Sequence, residues 1–261
     1  MKFESGSSSG SKMAGAETPG NMNDQLRNPA EIAIDAQFNL YVNDNNNYRI
    51  MLWRRNTSSG IVVAGNGTSG NSVNTIGESI GLAIDSQGNI YVGDKGDHRV
   101  MKWTSNATSG ILVAGTHVGG TSNQQLYGPY GLFLDESNSY LYIADMFNDR
   151  VQRYHLGTMT NATTVAGGNG RGNNFNQLNQ PYSVCVSKKT GDIYIADKQN
   201  HRIQRWTPGA TSGVTIIGIT GMYGTNATML NSPSNIALNK NETYLYVSDM
   251  DNHRVQRYRL P

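Results

Sequence analysis

Five aspartates, Asp44, Asp94, Asp145, Asp197 and Asp249, are each followed five residues later by an arginine: Arg49, Arg99, Arg150, Arg202 and Arg254. That spacing spans a tight hairpin turn, so each carboxylate and guanidinium can meet across it and hydrogen-bond the turn backbone. His98, His201 and His253 share one position in this pattern. Three imidazoles hold a metal only if they converge. Equivalent positions on successive units fan them apart, so a turn-supporting role is expected. Asp35, Asp85 and Asp135 end another set of strands, with Ser187 and Asn239 in their place in the last two units. An aspartate that opens a turn accounts for that set as well. Cys185 stands alone in the apolar run PYSVCV and is expected to be a small buried hydrophobe, since one thiol makes neither an internal disulfide nor a thiolate metal site. There is no Gly-x-Ser-x-Gly elbow and no Gly-x-x-x-x-Gly-Lys phosphate loop. The glycine-rich GGNGRG from Gly167 follows a strand but precedes no helix, so it lacks the dipole that favours anions. No catalytic residue, metal or cofactor is assigned.

The elements that position these residues are repeats. LRNPAEIAID from Leu26, IGESIGLAID from Ile76, LYGPYGLFLD from Leu126, LNQPYSVCVS from Leu178 and LNSPSNIALN from Leu230 begin 50, 50, 52 and 52 residues apart. Each leads into a second strand ending on the repeat aspartate. The third carries the arginine and, four residues on, an aromatic: Trp53, Trp103, Tyr154, Trp206 and Tyr258. A fourth strand closes four units, as in GIVVAG and GILVAG. Apolar residues come in runs of four or five bounded by Gly, Asn and Asp, and no window carries helical periodicity, so the chain is read as all-β. A single four-stranded sheet cannot bury both faces, and stacking sheets around an axis does. The proline before the first strand suits an edge entry (Pro29, Pro129, Pro181, Pro233, with Ser79 once), and the aromatic fills space between sheets.

The segments DKQNHRIQRW and DMDNHRVQRY, with Asn200, His201, Asn252 and His253, resemble NHL repeats, with Arg in the third signature position. The resemblance covers residues 26–260 and implies a β-propeller with an axial channel. Related propellers include lyases and lactonases with a channel-mouth metal, and some NHL domains bind RNA. A metal site of that kind would need acidic or histidine ligands on innermost strands that here offer mainly Ile, Leu, Val and Ala. The formal net charge of +2 is spread without a basic stripe, which disfavours phosphate-driven RNA binding.

Five four-stranded blades are expected, in one domain over residues 10–261. Gly15 lies eleven residues before Leu26, as Gly65 does before Ile76, so residues 10–15 are in register to pair with the C-terminal three strands and close the ring. Ser11 and Lys12 stand where Ile61 and Val62 stand in the next unit, so that strand is poor in apolar residues. Residues 1–9 read as a disordered, linker-like segment without the apolar region of a signal peptide, and no apolar run spans a membrane.

With the repeated positions explained, the variable ones carry the functional expectation. The loops from fourth to next first strand differ in every unit and are expected, with the second-to-third turns, around the channel mouth. Tyr130 and Tyr182 follow the repeat proline on adjacent blades, and Phe147, Phe175, Arg171, Lys198 and Tyr223 are placed to join them. Exposed Tyr, Phe and Arg anchor interfaces or stack on sugars. A narrow channel plugged by the tyrosines explains them equally well. The expected function is a non-enzymatic binding module for a protein or glycan partner, with a propeller lyase or hydrolase and an RNA-binding domain as alternatives. Six Asn-x-Ser/Thr sequons occur, no more than chance gives. Asn56, Asn106 and Asn161 fall in third-to-fourth strand hairpins away from the proposed face, as candidates for glycosylation of a secreted protein.

Overall fold

Strands dominate the computed structural model, which describes residues 2–3, 9–158 and 162–260. The first sheet is β3 (Ile32–Ile34), β4 (Leu40–Asp44), β5 (Arg49–Trp53) and β6 (Ile61–Ala64), paired in chain order. The second is β7 (Ser79–Ile84), β8 (Ile90–Asp94), β9 (Arg99–Trp103) and β10 (Ile111–Gly115). The third is β11 (Pro129–Asp135), β12 (Tyr140–Asp145), β13 (Arg150–His155) and β14 (Thr163–Gly167). The fourth is β15 (Pro181–Val186), β16 (Ile193–Asp197), β17 (Arg202–Trp206) and β18 (Val214–Gly218). The fifth is β19 (Pro233–Leu238), β20 (Tyr244–Asp249) and β21 (Arg254–Arg259). The chain divides into two units, Met1–Leu112 and Val113–Pro261.

Strands such as β8 and β16 are buried at every residue. Both faces of the sheet are covered, which is why the sequence shows apolar runs instead of alternation. Within the first unit, Tyr41, Ile50 and Leu52 of the first sheet pack on Leu82, Ile90, Val92 and Trp103 of the second. Within the second unit, Tyr142 and Val151 pack on Val184, Ile193, Ile195 and Trp206. Cys185, Tyr194 and Ile203 in turn pack on Ile236, Leu245 and Val247. Burial pushes the Cys185 thiol up, and it serves as a small core hydrophobe.

The expected closing strand is not seen among the described residues. Gly10–Ser11 (β2) pairs with Lys2–Phe3 (β1) in a separate two-stranded sheet, with Lys2 opposite Ser11, and the C-terminal sheet has three strands. Ser11 and Lys12 are exposed and have no apolar surface to bury in a blade, and the Ser11 backbone pairs with Lys2 instead.

The repeat aspartate and arginine lie directly opposite each other at the hairpin: Asp44 with Arg49, Asp94 with Arg99, Asp145 with Arg150, Asp197 with Arg202 and Asp249 with Arg254. In four units the turn between them is three residues of 3-10 helix, as at Lys198–Asn200, followed by one residue in the left-handed region such as His201 at φ 53°. In the fourth sheet Arg202 Nε donates to Asp197 Oδ2 at 2.7 Å. Its Nη1 donates to the Asn173 carbonyl, and its Nη2 to those of Asn174 and Gln177. Asn200 Nδ2 donates to Asp197 Oδ2 and the Gly172 carbonyl, while Asp197 Oδ1 accepts the Asn179 N–H. The trio therefore clasps the incoming loop by its backbone, and the same pattern recurs at Arg49, Arg150 and Arg254. The loop lies along the outer edge of the next sheet, where the Phe175 carbonyl accepts the Gly213 N–H.

The hairpin of the second sheet is the exception. Asp97 replaces the clasp asparagine and stands 3.7 Å from Arg99 Nη2, and Asp94 Oδ1 is buried without a hydrogen-bond partner. Burial, less the effect of the Gly77 N–H and Arg99 and with Asp97 adding to it, pushes the Asp94 carboxyl up to about 6 from 3.8. Folding therefore favours the protonated form, and stability is gained as pH falls through about 6 towards 3.8 and lost as pH rises.

Arg202→Met leaves Asp197 buried and unpaired and is expected to cost about 3–5 kcal/mol in urea denaturation. Arg254→Met, at a clasp whose arginine side chain is 30% exposed, costs less. Asp97→Asn restores the clasp donor and removes the second carboxylate. It is expected to stabilise by about 1–3 kcal/mol at pH 7.5 and to narrow the stability gap between pH 7.5 and pH 5, read as Tm.

Candidate functional site

Tyr182 follows the strand-opening Pro181, and pairing slips there: Pro181 lies opposite Asp197 but Ser183 lies opposite Ala196. Tyr182 is thus the extra residue of a bulge, the local device that re-aims a side chain out of the ladder. Tyr130 occupies the matching irregularity after Pro129. The two rings stack with centroids 4.0 Å apart. Gly131 permits this approach, because a β-carbon there would sit 2.6 Å from the Tyr182 carbonyl and 2.7 Å from Ser183 Cα. Lys198, first residue of the neighbouring 3-10 turn, places Nζ 3.8 Å from the Tyr182 ring centroid. A ring face already covered at 4.0 Å has no room for an ammonium, so Lys198 covers the opposite face. All three side chains remain half-exposed. The column presents ring edges, phenol hydroxyls and an ammonium to a ligand.

The other expected site residues fall into separate groups. Phe147, on the turn Met146–Asn148, contacts Tyr127 at 5.1 Å, and its N–H donates to the Tyr127 carbonyl. Tyr127 is exposed and was not singled out in the sequence; its place just after the repeat leucine, on a clasped loop, is the signal that marks it. Tyr223 is exposed and meets the His201 ring at 5.5 Å. Arg171 Nε pairs with Asp149 Oδ2 at 3.1 Å. Phe175 stands apart from the tyrosine stack, on the outer-edge loop, where it lines a groove of about 760 Å³ with Thr164, Asn169, Asn174, Trp206 and Thr211. The displacement follows from the clasp, which holds the middle of each loop against the next sheet's outer edge.

His201 Nδ1 accepts the Ser232 N–H at 3.1 Å, and burial lowers its pKa, which Asp251 opposes. A neutral acceptor suits that bond. At the same repeat position Asp149 Oδ1 accepts the Gln180 N–H, so this position joins one unit's turn to the next unit's loop whichever acceptor fills it. Asn56 and Asn106 are exposed at hairpin tips with φ of 64° and 63°. Asn161 lies outside the described residues.

The NHL repeat family model matches residues 80–103 and 178–206. NHL repeat-containing protein 2 of Homo sapiens is 30% identical over 86 residues, a match covering 31% of this chain and 12% of that protein. An auxiliary nutrient binding protein from Bacteroides thetaiotaomicron superposes with a TM-score of 0.66 at 17% identity, over 90% of this chain and 59% of that one. Virginiamycin B lyase from Staphylococcus aureus superposes at 0.58 and 13% identity, over 94% and 74%. At such identities the likeness is one of fold. The Asp and Arg recurring at every hairpin, with Asn between them in four, and the likeness to solved propellers lead to one assignment: the fold is a β-propeller whose residues 80–103 and 178–206 are similar to NHL repeats.

Proposed function

We propose that the protein is a non-enzymatic binding module that engages a protein or glycan partner through the Tyr130–Tyr182–Lys198 column and the exposed aromatics on its loops. The column is the observation that carries the reading. Two bulges and a glycine place three half-exposed side chains in mutual contact, and the repeat does not require them, since Ala30, Ile80 and Ser234 fill the tyrosine position elsewhere. Because both faces of Tyr182 are covered, a ligand meets hydroxyls and an ammonium, which favours oxygen-rich, acceptor-bearing partners. Tyr127, Tyr223 and Phe175 keep exposed ring surface for apolar contact. The likeness to a nutrient binding protein supports a binding role. Secretion, with glycans on the exposed hairpin tips at Asn56 and Asn106, fits a partner met outside the cell.

The test is a glycan and protein array probed with the full chain. Tyr182→Ala and Lys198→Ala are each expected to weaken the selected interaction at least tenfold, about 1.4 kcal/mol, with an unchanged circular dichroism spectrum. Unaltered affinity in both variants rejects the column as the contact surface. A stoichiometric zinc or calcium content in purified protein favours a lyase or hydrolase instead, and an RNA affinity falling steeply with salt favours nucleic acid.

A further inference from the structure

The groove beside Phe175 is polar but uncharged. It lies between β14 of the third sheet and the hairpin at residues 210–212 of the fourth, with residues 174–176 on its rim and the buried Trp206 on its floor. Among the described residues, no Asp, Glu, Lys, Arg or His lines it. Part of its polar lining is already committed to the protein. Thr164 Oγ1 donates to Gln152 Oε1, Trp206 Nε1 to Gln204 Oε1, and Asn169 Nδ2 to the Gly167 and Asn176 carbonyls. The side chains of Asn174, Asn176, Thr211 and Ser212 are different. All four are exposed and make no hydrogen bond among the described residues.

Phe175 stands in the middle of these unspent groups and is 63% exposed. The scaffold does not ask for a ring there. The Gly213 N–H donates to the Phe175 carbonyl at 2.8 Å, and the equivalent Gly60 and Gly110 donate to the Asn23 and Val73 carbonyls at 2.8 and 2.6 Å. Asn123 and Ala227 hold the same place, three residues before the repeat leucine, in the other two sheets. Any side chain lets that backbone bond form, so the aromatic face is a property of this groove alone.

We propose that the groove binds a neutral oligosaccharide, stacked on Phe175 and hydrogen-bonded by Asn174, Asn176, Thr211 and Ser212. An aromatic face carries negative potential, so it attracts the C–H face of a pyranose ring and repels an anion. Amides and hydroxyls both donate and accept, which matches sugar hydroxyls that do the same. A charged ligand would give up water here without meeting a counter-charge. The volume of about 760 Å³ falls in the range of small-ligand sites, roughly 300–1,000 Å³, and accommodates a few sugar rings. This deepens the binding reading by giving the Phe175 groove a ligand class of its own, and it stands whether or not the tyrosine column is a contact surface.

Titration calorimetry of the full chain with cellotetraose, maltotetraose and N-acetylated chitotetraose tests this. At least one sugar is expected to bind one to one, with an affinity that salt leaves unchanged because no ion pair forms. Phe175→Val, which installs the residue found in the second sheet, keeps an apolar side chain without a flat face. It is expected to weaken binding at least about tenfold, whereas Phe175→Trp retains it. Asn176→Ala removes a donor and an acceptor and weakens it several-fold. Tyr182→Ala, at a residue that does not line the groove, leaves this affinity unchanged, so failure of the column and failure of this site are read separately. Phe175 and Asn176 are exposed, so thermal melts of the variants are expected to match the parent. Binding of none of the three sugars overturns the proposal. So does equal binding by the parent and Phe175→Val, or an affinity that falls with salt.

Discussion

The buried aspartate–arginine pair at each hairpin is the constraint on which the rest depends. An ion pair withdrawn from water is tolerable only when every remaining donor and acceptor is satisfied. At Asp197 and Arg202 that condition is met by an asparagine, a backbone N–H and three loop carbonyls. Satisfying the guanidinium therefore fixes where the next loop runs, and the loop in turn brings the repeat leucine, buried at Leu178 and Leu230, into the space between sheets. Strand pairing, loop path and the core between sheets are consequences of one charge that must find partners.

Much of this was legible in the sequence because it repeats. The interval of about fifty residues, the Asp-to-Arg spacing and the trailing aromatic each predicted a contact that the sheets make, since a pattern recurring five times has a structural cause common to five sites. The assignment of Cys185 to the core followed the same logic. The histidine position was readable as turn support, although its bond to the next unit's backbone needed the geometry at His201 and Ser232.

What the sequence left hidden is what the repeat does not determine. Tyr130, Tyr182 and Lys198 were singled out, but their order in a column depends on two bulges and on the absence of a β-carbon at Gly131, none of which has a distinct sequence signal. Phe175 was grouped with them because its loop begins near the turns; the clasp carries the loop's middle to the outer edge, a path set by carbonyls that are the same for every residue type. The closing strand was inferred from the Gly15 spacing, which leaves exposed Ser11 and Lys12 where a blade would need apolar residues, and Gly10–Ser11 pairs with Lys2–Phe3 instead.

The guanidinium grips peptide oxygens, so loop identity is invisible to it. Asn21, Asn71, Thr121, Asn173 and Thr225 all present the same carbonyl to the same nitrogen. Side chains on those segments are thereby released from any duty to the scaffold and can diversify while the framework stays intact. The fold thus separates evolvable surface from invariant support, the division that antibody variable domains reach with hypervariable loops on a sandwich.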